Sequence, residues 1–405
     1  MALSQMMIHA ATGAAAADAQ QDGHATGMLH TEQHQHRPYA CFSSSSRSHS
    51  ANILPSKSMF IVKPGETISS SGYSERIGGK GANAAVAICR SDGQVYFSGL
   101  IDRQSGWLKD ALEGFGVDVD GLKVCDDRAH LPTGRAIIQV SEDTGENAIV
   151  LVPGTNHASG EFWADLGPML DPSKYSHVLL QNEIPLAETL RTANLAHSLG
   201  ITTVFNPSPL PSRHEVSDLI DWRLIDWLIV NQEEARSLCD RASSRPCSSD
   251  RRHLIDSSSS SQDLNQEMAL LHNLISLSMA TFAIVITMGA RGSLLAFRST
   301  STLWRGFYTP PSPGNHPVIN TTGAGDCFTG FLVAELMRLG PETLRINNPE
   351  DGEDDSDRIN EMRMSKLKES VLVASGAARL CVERHGTIDS YPSLEQVLRL
   401  HRTSS

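Results

Sequence analysis

A chain of 405 residues, 40% hydrophobic and 20% charged, has room for one large domain or two modest ones. Against 34 basic residues stand 46 acidic ones, a net charge of −12 that excludes a nucleic-acid role driven by a basic surface. No apolar run reaches the ~20 residues a membrane-spanning helix needs, so no membrane partner is expected. The seven cysteines, at 41, 89, 125, 239, 247, 327 and 381, are odd in number and show no paired metal spacing. They read as reduced thiols of an intracellular protein, with the cytoplasm as the expected compartment and nuclear entry left open.

Residues 1–55 are expected to be low-complexity. Ala14–Ala17 and Ser43–Ser46 interrupt a stretch rich in Ala, His, Gln and Ser that has no structural period and is not expected to pack. It lacks the apolar core of a secretory signal. From Met59 the character changes, and Pro64-Gly65-Glu66-Thr67 is a turn. Thr67–Ile77 reads as an exposed strand pair. Gly78-Gly79-Lys80-Gly81-Ala82-Asn83 then opens a helix, with one Lys and one Asn where a ligand could lie. The spacing is not that of a Walker loop. Strand-like runs follow at Val95–Gly99, Thr133–Val140 and Asn147–Val152, with a helix at Gly106–Glu113. Glu142–Gly145 joins the second and third runs as a hairpin, so a separate small sheet is expected.

Alternation then resumes. Strands are expected at His177–Gln181, Thr202–Phe205, Trp227–Val230 and Phe282–Thr287, and helices at Leu186–Leu199 and from Glu233. Gly289-Ala290-Arg291-Gly292 turns the last of these into a further strand. Repeated strand–helix units imply a parallel sheet covered on both faces, whose ligands gather at the carboxyl ends of the strands. Glu183, Asn231, Gly289 and Asp326 all fall there. Ser243–Gln262 and Asn347–Asp357 read as solvated insertions. A helix is expected at Ser370–Val382, and Ser393–Leu400 closes the chain.

The most informative stretch is Asn320-Thr321-Thr322-Gly323-Ala324-Gly325-Asp326. Two glycines permit a tight turn, and Phe328, Phe331, Leu332, Leu336 and Leu339 then recur at a helix period. Open amides at such a helix start bind anions. A carboxylate there makes sense as a base that removes a hydroxyl proton before phosphoryl transfer. From these residues alone, a plain helix-capping role for Asp326 is equally compatible.

Together with the 78–83 glycine turn, this stretch resembles the two signatures of the PfkB-type carbohydrate kinases in their ribokinase form. The likeness runs from about residue 59 to 400 and is supported by Asn206-Pro207-Ser208-Pro209 and Thr287–Gly292. It implies a doubly wound, mostly parallel α/β sheet with helices on both faces and a small β lid, formed near 66–77 and 132–152. It further implies ATP-dependent phosphorylation of ribose. Asp326 would be the base, with the amides of Gly323, Ala324 and Gly325 as the anion hole. Gly79, Lys80, Gly81, Ala82, Asn83 and Glu183 would bind the sugar. Asn231, Thr287, Met288, Gly289, Ala290, Arg291, Gly292, Gly325, Asp326 and Ser375 would bind ATP. Glu234 would help place Mg²⁺ indirectly. A potassium site would fall on Asn320, Thr322, Cys381, Arg384, Gly386 and Ser390. Asn320 stands where the family has Asp, so weaker potassium activation is expected. A homodimer through the lid is the implied assembly.

One departure is large. The family's first strand, ending in Gly-x-x-Asn-x-Asp, has no counterpart in Ser48–Pro55, where Asn52 is the only candidate relic. A mis-assigned first exon or a degenerate kinase would explain it. The alternative functions are therefore a kinase for another sugar or a nucleoside, and a non-catalytic sugar- or nucleotide-binding protein.

Overall fold

The computed structural model describes residues 5–7, 50–52, 62, 64–67, 75–125, 131–140, 147–158, 170–242, 264–299, 304–314, 316–340 and 353–403. In chain order the elements are β1 (Gln5–Met7), β2 (Ser50–Asn52), α1 (Lys80–Arg90), β3 (Tyr96–Ile101), α2 (Trp107–Glu113), β4 (Asp118–Val124), β5 (Arg135–Val140) and β6 (Asn147–Val152). They continue with β7 (His177–Gln181), α3 (Leu186–Ser198), β8 (Thr202–Asn206), β9 (Trp227–Asn231), α4 (Gln232–Ala242), α5 (Asn265–Ser276), β10 (Ala283–Thr287), β11 (Ser293–Arg298) and β12 (Trp304–Thr309). Helices α6 (Ala324–Leu339), α7 (Glu353–Val382) and α8 (Leu394–Thr403) follow.

Strands β7, β8, β9 and β10 run parallel, and β11 and β12 extend that sheet antiparallel at one edge. The two faces alternate as strand geometry requires. On β7, Leu179 packs into a core shared with α1, α6 and α7, while Val178 and Leu180 pack on the opposite side against α3. On β9 and β10, Ile229 and Val285 join the first core, and Leu228, Val230, Ile284 and Ile286 pack against α4 and α5. Helices thus cover both faces of a mostly parallel sheet, as expected.

The sheet differs from expectation in being divided. Strands β3 and β4 pair in parallel in a separate three-stranded sheet with β1, which pairs antiparallel to β3, Gln5 opposite Ser98 and Met7 opposite Tyr96. Strand β1 lies against β7, at the junction of the two sheets. The expectation that residues 1–55 do not pack therefore fails at two points, β1 and β2. An open strand edge satisfies its backbone groups with any extended segment, so pairing there needs no side-chain pattern legible beforehand. Strand β2 joins the lid sheet, Asn52 opposite Ile138 of β5, so Asn52 is no relic of an interior strand.

The lid is the antiparallel pair β5–β6, with β2 beside β5. Its feet are tied to the end of β3. The Asp102 amide donates to Thr133 Oγ1 at 2.7 Å, the Thr133 amide donates to the Asp102 carboxylate, and Thr155 Oγ1 donates to the Leu100 carbonyl at 3.0 Å.

Strands β4 and β12 and helix α5 were not anticipated. Gly121 and the charges of β4, and Gly306 in β12, mask their strand character. Helix α7 begins at Glu353 rather than Ser370, so the end of the acidic 347–357 segment is its first turn. Acidic residues suit a helix amino terminus, where they complement the dipole. The serine-rich stretch 243–262, residues 347–352, the 142–145 turn and residues 68–74 of the expected lid strand pair lie outside the described residues.

Candidate active site

Helix α6 starts from Gly323, whose φ of 81° is left-handed. A side chain there would be strained, and its Cβ would fall 2.5 Å from Thr387 Cγ2. The Gly323 carbonyl accepts from the Cys327 amide at 2.8 Å and from Tyr391 Oη at 3.2 Å. Burial, and after it the Asp326 charge, push the Tyr391 phenol well above its ordinary range, so it stays a donor. The Ala324 amide is engaged by the Thr321 carbonyl at 3.3 Å. The amides of Gly325 and Asp326 have no backbone acceptor among the described residues, and a Cβ on Gly325 would meet open space. The open part of the expected anion hole is thus centred one residue further along than Gly323–Gly325.

Asp326 is buried, at 7% exposure, in the first turn of α6. Its partners come from α1, the other helix launched by a glycine turn. Asn83 Nδ2 donates to Asp326 Oδ2 at 2.7 Å, and Lys80 Nζ lies 3.7 Å from Asp326 Oδ1. The helices approach closely because Gly330 of α6 faces Ala84 and Ala87 of α1. Asn83 Oδ1 is buried with no hydrogen-bond partner among the described residues. Such an acceptor is rare unless something else supplies the donor.

Glu183, just past β7, is buried rather than the solvated carboxylate its position allows. Its Oε2 accepts from the Lys80 amide at 3.1 Å, capping α1, and its carbonyl accepts from Asn156 Nδ2 at 2.9 Å. Glu183, Lys80, Asn83 and Asp326 are therefore one cluster. Gly79 precedes the first turn of α1, while Gly81 and Ala82 are buried within the helix, Ala82 in the core. A pocket of about 410 Å³ adjoins Glu183, walled by Leu151 and Pro153 of the lid segment, His157 and Pro209.

Among the residues expected to bind nucleotide, Asn231 and Glu234 form a reciprocal cap. The Asn231 amide donates to Glu234 Oε2 and the Glu234 amide donates to Asn231 Oδ1, both at 2.9 Å. The turn Gly289–Gly292 closes through the Met288 amide donating to the Gly292 carbonyl at 2.8 Å, and Gly289 and Ala290 are exposed. Ser375 is half-buried on α7. A residue missed from the sequence, Glu267 of α5, joins the two motifs. Its Oε1 accepts from Gln232 Nε2 at 2.7 Å and from Arg291 Nη2 at 2.8 Å. Burial, the largest influence, would raise the Glu267 carboxyl, but the Arg291 hydrogen bond, a backbone hydrogen bond and the charges of Arg291 and Arg236 together hold the group below its ordinary range. An acidic residue at a helical spacing from Leu271 and Leu274 was the only signal available.

The six residues expected to hold a monovalent cation do converge, but they do not fit one. Asn320 Nδ2 donates to the Gly386 carbonyl at 3.1 Å, and Asn320 Oδ1 accepts from the Thr322 amide at 2.9 Å. Ser390 Oγ donates to the Thr387 carbonyl at 2.6 Å and lies 3.1 Å from Cys381 Sγ. Arg384 donates to the Ser390 carbonyl at 3.4 Å. Asn320 Oδ1 and the Cys381, Gly386 and Ser390 carbonyls already accept internal hydrogen bonds, and no carboxylate stands at position 320.

The pfkB family carbohydrate kinase model matches residues 53–394. The ribokinase of Haemophilus influenzae is 29% identical over 280 residues, covering 69% of this chain and 80% of that one. The bifunctional ribokinase/ribose-5-phosphate isomerase A of Fructilactobacillus sanfranciscensis is 25% identical over 343 residues, 83% of this chain, which spans about half (52%) of that protein's length. Among solved structures, ribokinase from Cryptococcus neoformans var. grubii serotype A in complex with ADP superposes with a TM-score of 0.64 at 33% identity, covering 84% of this chain and 94% of that one. The chain belongs to the pfkB family of carbohydrate kinases, phosphotransferases that act on an alcohol group.

Proposed function

We propose that this chain transfers the terminal phosphoryl group of ATP to the 5-hydroxyl of D-ribose, giving ribose 5-phosphate and ADP. The observation that carries this reading is the pairing of a buried carboxylate, Asp326, with the unsatisfied Asn83 Oδ1 beside it. Asp326 takes the proton of the attacking hydroxyl, and Asn83 Oδ1 accepts from a neighbouring sugar hydroxyl. Lys80 Nζ offsets the charge of Asp326 while the site is empty of substrate. The Gly325 and Asp326 amides hold the phosphoryl group as charge grows on it. Closure of the β5–β6 lid over Glu183 excludes water.

Glu234, beside Asn231, would help hold a Mg²⁺ ion bound with the nucleotide, which would supply positive charge to offset that of the phosphates. Among the described residues no cluster of three or more His, Cys, Asp or Glu could hold a metal ion.

The second reading, a kinase for another sugar or a nucleoside, is favoured by one observation. No carboxylate from a first central strand stands beside Lys80 and Glu183 among the described residues. ADP release measured with MgATP and a panel of ribose, other sugars and nucleosides separates the readings. The proposal expects ribose to give the highest kcat/KM. A nucleoside or another sugar at the head of the panel would move the assignment. Ligand-induced thermal stabilisation with no ADP release from any substrate would establish a non-catalytic binding protein.

A further inference from the structure

The turn that forms the anion hole, residues 320–325, is held against the segment 382–390 by a set of internal bonds. The Ile319 and Asn320 amides both donate to the Val382 carbonyl, at 2.7 and 3.2 Å. The Asn320 side chain spans the rest of the gap, donating from Nδ2 to the Gly386 carbonyl and accepting at Oδ1 from the Thr322 amide. Gly386 itself is left-handed, with φ of 100°, which aims its carbonyl at this gap only while the 384–390 loop keeps its shape. That loop is fixed in turn by Ser390 Oγ on the Thr387 carbonyl and by the Arg384 guanidinium on the Ser390 carbonyl.

A hard cation between these segments would draw carbonyl oxygens together and would need negative charge to offset its dehydration. Here an amide N–H already points its positive end at the Gly386 carbonyl, a guanidinium supplies a fixed positive charge at Ser390, and position 320 is neutral. We propose that the Asn320 side-chain amide takes the place of a monovalent cation between the anion-hole turn and the 384–390 loop, so that this chain works without potassium. The inference rests on the kinase reading for its catalytic consequence, but its structural half does not.

The experiment uses the full chain and Asn320→Asp, compared in potassium chloride and in tetramethylammonium chloride at equal ionic strength. Two quantities are read: the melting temperature without nucleotide or sugar, and the rate of ADP release. The wild-type chain is expected to melt at the same temperature and turn over at the same rate in both salts. Asn320→Asp is expected to melt several degrees lower in tetramethylammonium, to recover in potassium, and to gain about tenfold in rate from potassium, the size of an ordinary coupling between a ligand and a site. Asn320→Ala, which removes the bridge without adding charge, is expected to lose the same melting temperature in both salts. A rise in wild-type melting temperature or rate with potassium overturns the proposal. So does an Asn320→Asp chain indifferent to potassium in both quantities. If Asn320→Asp does not fold, the wild-type and Asn320→Ala comparisons decide it. If ribose is not turned over in any salt while the melting temperatures behave as described, the ribose assignment fails and the amide bridge stands.

Discussion

Asp326 gains its chemistry from what surrounds it rather than from its place at a helix start. A capping carboxylate would turn back to the amides of its own first turn, and this one instead meets Asn83 and Lys80 of another helix. That contact, which joins residues 243 positions apart, is not one that a plain helix cap makes. The glycines and the acid were legible in the sequence because a turn and a helix start are local. Glu267 was not, since its meaning lies in reaching Gln232 and Arg291 on two other elements. Replacing Glu267 with Gln is expected to raise the KM for ATP by roughly tenfold, from the loss of one charge-assisted hydrogen bond worth about 1.5–3 kcal/mol. The KM for the sugar is expected to change little. Steady-state kinetics with each substrate varied in turn check this, and an unchanged KM for ATP would show that the contact is only structural.

At the scale of elements, the site depends on how closely α1 and α6 pack. Most of the strands were legible because their apolar runs are short and bounded by turns, and β6 and β7 were anticipated residue for residue. The close helix contact was not, because Ala and Gly carry no periodic signal. A Cβ at Gly330 would fall 2.5 Å from Ala87 Cβ and 2.6 Å from the Ala84 carbonyl oxygen, so one of the helices would have to shift. Gly330→Ala is expected to destabilise the chain by about 1–3 kcal/mol. It is also expected to lower kcat more than the KM for ATP rises, because the shift separates Asn83 from Asp326. Urea unfolding followed by kinetics on the folded variant reads both effects. An unchanged urea midpoint would contradict the packing argument.

At the scale of the whole molecule, the divided sheet and the lid set how much of the family's design is present. The antiparallel β1 contributes backbone pairing at the sheet junction, and Gln5–Met7 carries no acidic residue. Register partners Ile137 and Val150 leave one face of the lid exposed, at 39% and 61%, while Leu151 lines the pocket beside Glu183. An exposed apolar pair on a sheet face suits a partner surface, and a second copy of this chain is the partner we propose. Val150→Lys is expected to halve the mass seen by sedimentation equilibrium while leaving the fold intact. A wild-type chain already monomeric at micromolar concentration would refute the dimer.

Proton removal by Asp326 is the central step of the proposed reaction. The direct measurement is the rate of ADP and phospho-sugar formation by Asp326→Asn against wild type, with ribose and MgATP saturating and folding checked by circular dichroism. Amide oxygen accepts a proton poorly, so kcat is expected to fall by about 10²–10⁴ while binding of ribose persists. A variant that turns over at the wild-type rate would contradict the assignment of the base.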